Sequence, residues 1–172
     1  AVDGNEYHTL SASADNISDN RYAQNYITYS NVICSNLMAD GNGYIRVEAD
    51  DSSLLIQQFN PSFQLSSTRS ITNELPLFGG FYAGANNYYV VFGQTNPDEN
   101  DNTEVFRLVK YDKSWNRLGS VSLYGANTYV PFHAGSLRMY EYNNYLFIRT
   151  CHTMYASSDG FHHQANVTWQ ID

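Results

Sequence analysis

From residue 32 onward apolar and polar positions alternate with a period of two, broken by short clusters of Asn, Asp, Gly and Ser. A first run over 32–38 leads into Asp40-Gly41-Asn42-Gly43, where Asn and Gly tolerate the positive φ of a tight hairpin turn. The returning strand is expected over 44–49, followed by a turn at Asp50-Asp51-Ser52-Ser53 and strands over 54–59 and 63–72. A second unit reads 81–85, 88–94, 104–111 and 115–123, and a third reads 135–142, 145–155 and 164–171. No segment sustains a 3.6-residue apolar period, so the pattern predicts almost no helix. Residues 1–31 are polar, with scattered Tyr, and read as a loop-rich segment in front of the strands.

The units share a motif. Asn42-Gly43-Tyr44-Ile45, Asn87-Tyr88-Tyr89-Val90 and Asn144-Tyr145-Leu146-Phe147 each turn into an apolar strand. The following strand then reaches Asn60-Pro61-Ser62-Phe63 in the first unit and Asp112-Lys113-Ser114-Trp115 in the second, a turn closed by an aromatic. In the third unit this turn is due at Asp172, so the sequence is expected to belong to a larger repeat protein. Four-stranded units recurring roughly every 45 to 60 residues resemble β-propeller blades. The resemblance implies an all-β fold of four-stranded antiparallel blades in a partial β-propeller, two blades complete and one incomplete. The boundaries fall at about 32–73, 74–124 and 125–172, after the N-terminal segment 1–31.

Further segments, Phe132-His133-Ala134-Gly135-Ser136-Leu137-Arg138-Met139, Arg149-Thr150-Cys151-His152 and 159–166, are similar to secreted propeller proteins of Gram-positive gut-type bacteria, a group with no established activity. That resemblance implies a bacterial protein that is secreted or on the cell surface, and it leaves function open. Ser157-Ser158-Asp159-Gly160-Phe161 resembles the Asp-box of sialidase-like propellers. It lies between the second and third strands of its unit and lacks the closing Thr-Trp, so it reads as a Ser/Asp/Gly turn. Fewer than three blades cannot close a ring, and an unclosed stack presents strand edges and apolar faces to water. Self-association, or association with the remainder of a parent protein, is the expected remedy.

Charge narrows the partners. Seventeen acids against nine Lys and Arg give a net charge of -8, which opposes binding to nucleic acid or to an anionic membrane surface and favours neutral, polar or cationic partners. No run of 18 apolar residues occurs, so no helical membrane insertion is expected. Cys34 and Cys151 sit in apolar strand contexts of non-consecutive repeats and are expected to remain unbridged. Asn16-Ile17-Ser18 and Asn166-Val167-Thr168 match the N-glycosylation triplet, which arises easily in an Asn-rich chain.

In a propeller the loops between second and third strands emerge on the same face as the segments entering the next blade. Residues 50–53, 95–103 and 154–163 therefore share a face with 73–78 and 124–133, while the short turns lie opposite. Long polar loops on a rigid scaffold are where binding concentrates. Candidate binding residues there are Tyr124, Tyr129, His133, His152, Tyr155, Asp159, His162 and His163. The tyrosines offer flat apolar faces with polar tips suited to sugars or proteins. The histidines could bind a transition metal, although their spacing matches no closed zinc motif, and His162 and His163 should diverge if they begin a strand. Asp98, Asn100, Asp101, Asn102 and Glu104 form the densest run of hard oxygen donors, a candidate calcium site without the EF-hand glycine. No carboxylate pair and no nucleophile elbow is singled out, although Asp51, Glu74, Asp98, Asp101 and Asp159 could all reach this face. The expected function is a secreted or cell-surface module that binds a glycan or a protein. A fragment of a carbohydrate-active propeller enzyme, or a structural module completing a larger propeller, are the alternatives.

Overall fold

The computed structural model describes residues 34–50, 52–133 and 137–172. The leader over 1–31 and the first Asn-x-Ser triplet lie outside them, as do Asp51 and residues 134–136. Strands make up 67% of the described residues, and none of these is helical. The first sheet contains β1 (Ser35–Asp40), β2 (Gly43–Ala49), β3 (Ser53–Phe59) and β4 (Leu65–Thr72). The second contains β5 (Leu77–Ala83), β6 (Asn87–Gly93), β7 (Glu104–Asp112) and β8 (Arg117–Tyr124). The third contains β9 (Thr128–Pro131), β10 (Arg138–Tyr142), β11 (Tyr145–Ala156) and β12 (His162–Ile171). The first two sheets are four-stranded antiparallel meanders in chain order.

The repeated turn motif has one structural meaning in both complete sheets. Asn60 Oδ1 accepts from the backbone N–H of Ser62 and of Gln64, and Asp112 Oδ1 accepts in the same way from Ser114 and Asn116. The aromatic that follows, Phe63 or Trp115, donates its N–H to the carbonyl of Asn60 or Asp112 and adopts a φ of 59° or 66°. A short amide or carboxylate side chain that captures the turn's N–H groups compensates a left-handed aromatic. Both aromatics therefore belong to turns, and the outer strands begin two residues later than the alternation predicts, at Leu65 and Arg117.

The sheets stack face on face with the second in the middle. Tyr88, Val90 and Phe92 of β6 point to the first sheet, where they pack with Ile45, Val47, Leu54 and Ile56. Their neighbours Tyr89 and Val91 point to the third sheet and meet Leu146, Ile148 and Trp169. A strand buried on both faces loses its polar alternation, which is why 88–92 is one continuous apolar run. Trp115 folds back from its turn and stacks on Tyr88, ring centroids 4.6 Å apart. The innermost strands β1, β5 and β10 are also in contact from sheet to sheet, as expected of wedges converging on an axis.

The third sheet departs from the expected single inner strand over 135–142. Here β9 and β10 both pair with β11, so together they occupy one position, β9 ending at Pro131 and β10 beginning at Arg138. The cause is Phe132, whose φ is 62° and whose buried ring sits against Gly79 and Gly93 of the second sheet. A side chain at Gly79 would collide with that ring. Residues 77–80, expected partly as a connecting loop, belong instead to β5, with a bulge between Phe78 and Gly80. The third sheet is thus three positions wide, and the fourth, outer position is empty among the described residues. Cys34 and Cys151 are not bridged; the Cys151 thiol donates to Asn166 Oδ1 at 3.2 Å.

Candidate functional site on the long-loop face

Residues 95–103 connect β6 to β7 and are organised by Asn96, a buried polar residue. Its N–H donates to the carbonyl of Tyr129 (2.8 Å), its Oδ1 accepts from Asn100 N (3.0 Å), and its Nδ2 donates to the Asn100 carbonyl (3.0 Å) and to the Tyr155 hydroxyl (2.9 Å). One side chain thereby ties the acidic loop to β9 and β11. Tyr155 Oη lies 3.3 Å from Asp101 Oδ1, and burial, aided by that carboxylate, pushes its hydroxyl pKa up. Gly125, at φ +58°, lets the chain pass beside Asp101, where any side chain would press on the Asp101 backbone.

Glu99 crosses from this loop to the third sheet. Its Oε1 accepts from Ala156 N (2.8 Å) and is 2.8 Å from His162 Nε2. The Ala156 N–H first, and the imidazole second, hold its carboxyl below the usual range. His162 is stacked on Tyr129 with ring centroids 4.0 Å apart and an interplanar angle of 15°. Its neighbour His163 turns to the other side and meets Asp159 Oδ2 at 2.7 Å. The expected divergence of the two imidazoles is thus the alternation of β12, which begins at His162. Asp159 also accepts from Phe161 N, the main reason that its carboxyl stays ionised to lower pH than usual.

The other two described histidines stand apart from this pair. His152 is buried on β11, its Nδ1 2.7 Å from Thr128 Oγ1, and burial pushes its pKa down. His133 places Nδ1 2.7 Å from Thr153 Oγ1. In both rings a threonine hydroxyl is the partner of Nδ1. Among the described residues no group of three or more His, Cys, Asp or Glu side chains is placed to hold a metal. The candidate calcium ligands are dispersed likewise: Glu104 forms a bidentate pair with Arg107 and also meets Ser122, while Asn100 Oδ1 caps the N–H of Asn102. Asp98 and Asp101 remain exposed.

The structure therefore brings together Tyr129, Tyr155, His162 and the loop carrying Asp98 and Asp101. Tyr124, 59% exposed, projects from the end of β8 beside that loop. The sequence did not single out three further contributors: Asn96, Glu99 and Phe161, the last 69% exposed and adjacent to the stacked His162. Their signal was faint, since one Asn and one Glu within an acidic run look like solvated loop, and only the fold shows which of them face inward. The assembled surface is an acidic shelf with flat aromatic rings, rich in hydrogen-bond acceptors.

No known family profile matches the sequence, and no curated protein is significantly similar to it. Two solved structures are similar to it, both of Synechocystis apocarotenoid oxygenase mutants, one with Glu replaced by Gln and one by Asp. The Gln mutant superposes with a TM-score of 0.53 at 9% identity over 80% of this chain, and the Asp mutant with a TM-score of 0.46 at 9% identity over 76%. The chain spans 36% and 32% of their respective lengths. The likeness to the Gln mutant is, at 9% identity, one of fold alone, and it agrees with the stacked antiparallel sheets: the chain has a propeller-like, all-β architecture.

Proposed function

We propose that this protein is a binding module, secreted or displayed on a cell surface, that recognises a neutral or amine-bearing glycan on its long-loop face. The observation that carries the reading is the Tyr129–His162 stack anchored by Glu99, with exposed Phe161 next to it in the chain and exposed Tyr124 at the end of β8. Sugar rings present an apolar face of C–H groups and an equatorial fringe of hydroxyls. Flat aromatic rings match the first, and carboxylate and amide acceptors match the second. The ring pair is held before any ligand arrives, which lowers the ordering cost of binding. The acidic surface excludes phosphorylated and sulfated partners.

A glycoside-cleaving activity is less well supported. Every carboxyl on this face with a perturbed pKa is shifted downward, Glu99 and Asp159 alike, whereas a general acid needs one shifted upward. A structural role inside a larger propeller has one favourable observation, the third of a longer propeller-like chain that this one spans. An array of immobilised oligosaccharides, probed with the wild-type protein and with Tyr129→Ala, tests the reading. Binding to a restricted set of neutral or amino-sugar glycans, lost in the variant, is the expected result. Equal signals from the two proteins, or no signal at all, would overturn it.

A further inference from the structure

The proton on His162 is placed by its neighbour. Glu99 Oε1 accepts the Ala156 N–H at 2.8 Å, and the same oxygen lies 2.8 Å from His162 Nε2. These contacts, the Ala156 N–H chief among them, hold the Glu99 carboxyl below the usual range, so it is the acceptor and the imidazole is the donor. When the imidazole is neutral its single N–H is therefore on Nε2, and Nδ1 keeps a bare lone pair. Among the described residues Nδ1 has no hydrogen-bond partner, while the ring itself lies flat on Tyr129. His163 repeats the arrangement with Nε2 2.7 Å from Asp159 Oδ2. The titratable and charged groups around the stack are Glu99, with Asp98 and Asp101, on the loop at 95–103, Tyr129 on β9, Tyr155 on β11, and Asp159 and His163 beside His162 in the chain. The carboxylates only accept, and with Nδ1 bare His162 joins them.

We infer that His162 Nδ1 selects a ligand group that only donates, a protonated amine carried on the sugar, and that protonation of the imidazole releases it. The inference rests on the glycan reading of this face and narrows it to amine-bearing glycans. A sugar hydroxyl both donates and accepts, so it can turn to suit Nδ1 with or without a proton. An ammonium group has N–H donors alone and needs the bare lone pair. Taking up a proton converts Nδ1 from acceptor to donor and charges the ring in the same step. The ammonium then loses its hydrogen bond and meets a like charge. Glu99 reinforces the direction, because it holds Nε2–H in both states and so keeps the ring on Tyr129 while the Nδ1 edge changes polarity. The result is capture at neutral pH and release in acid.

The test has two readouts on the whole, nitrogen-labelled protein. Long-range proton–nitrogen spectra of the imidazoles at pH 8 should show His162 protonated on Nε2 and bare on Nδ1, with His163 as an internal comparison. Two probes are then titrated at pH 8 and at pH 5.5: 2-aminoethyl β-cellobioside, whose amine keeps its proton throughout, and ethyl β-cellobioside, which has none. The aminoethyl probe should weaken by about tenfold or more in acid, while the ethyl probe changes by less than about twofold. In His162→Phe, which keeps a flat ring in place, the two probes should respond to pH in parallel. A His162 proton on Nδ1 at pH 8, or the same pH response from both probes in the wild-type protein, would overturn the inference and leave the glycan reading standing. No saturable shift with either probe would overturn it too, and the oligosaccharide array then decides separately whether the glycan reading survives.

Discussion

Tyr129 lies flat on His162, ring centroids 4.0 Å apart, although the two residues come from different strands and are separated by the whole of β10 and β11. The contact exists because β9 and β12 flank β11 on opposite edges and both end beside the loop at 95–103. Glu99 then fixes the imidazole and the Ala156 N–H together. Replacing Glu99 by Gln removes a charge-assisted bond and should speed exchange of the Ala156 amide by roughly fivefold to tenfold. Amide exchange measured by NMR checks this, and an unchanged Ala156 rate would show that Glu99 does not brace the loop.

Asn96 should matter far more to folding than the acids beside it. Asn96→Ala removes a buried amide together with its bonds to Asn100 and Tyr155, at a cost of about 2 to 3 kcal/mol in urea unfolding. Asp98→Ala, on the exposed rim, should stay within about 0.5 kcal/mol of wild type. Similar effects for the two would contradict the role given to Asn96.

Gly79 and Phe132 form a coupled pair. Gly79→Ala drives a methyl into the Phe132 ring and should destabilise by about 1 to 3 kcal/mol, as overpacking does. Combining it with Phe132→Leu should cost less than the sum of the single changes, and the double-mutant cycle gives that difference directly. Strict additivity would mean that the ring does not occupy the space the glycine vacates.

Acid sensitivity should come in two windows. His152 is buried and its folded pKa is depressed, so the unfolded chain binds the extra proton first. The stability it contributes is complete above the unfolded value near 6.5 and declines as pH falls below it. Glu74, lowered chiefly by Arg117, and Glu104, lowered chiefly by Arg107, likewise favour the folded state above an ordinary Glu pKa of about 4.3 and lose that contribution below it. Urea midpoints from pH 8 to pH 3 should show both declines, the upper one flattened in His152→Gln. A midpoint that rises on acidification between pH 7 and pH 5 would contradict the sign.

Much of this architecture was legible because the chain states it twice. The Asn60 and Asp112 turns, with Phe63 and Trp115 behind them, recur as sequence and as hydrogen bonds, and the two complete sheets follow. Face assignment also survived: residues 95–103, 124–133 and 154–163 do converge, because strand order alone dictates which ends of the strands meet. The break in the inner strand of the third sheet was hidden, since it depends on a cavity in another sheet made by Gly79 and Gly93, which no local pattern around Phe132 announces. The site was half legible. Tyr and His types marked the region, but whether His162 or His163 turns toward Tyr129 is decided by where β12 starts, a boundary that periodicity places within a residue or two at best.

On the proposed reading, the aromatic shelf around Tyr129 and His162 takes a sugar. Titration of the isotope-labelled protein with neutral and amino-sugar oligosaccharides, chitotetraose and cellotetraose among them, tests it most directly by NMR. The account predicts saturable shifts centred on the Tyr124, Tyr129, Tyr155, Phe161 and His162 ring signals, with affinity in the micromolar to millimolar range and loss of the response in His162→Ala. Shifts that never saturate, or that centre on the short-turn face while these five rings stay unmoved, would contradict it.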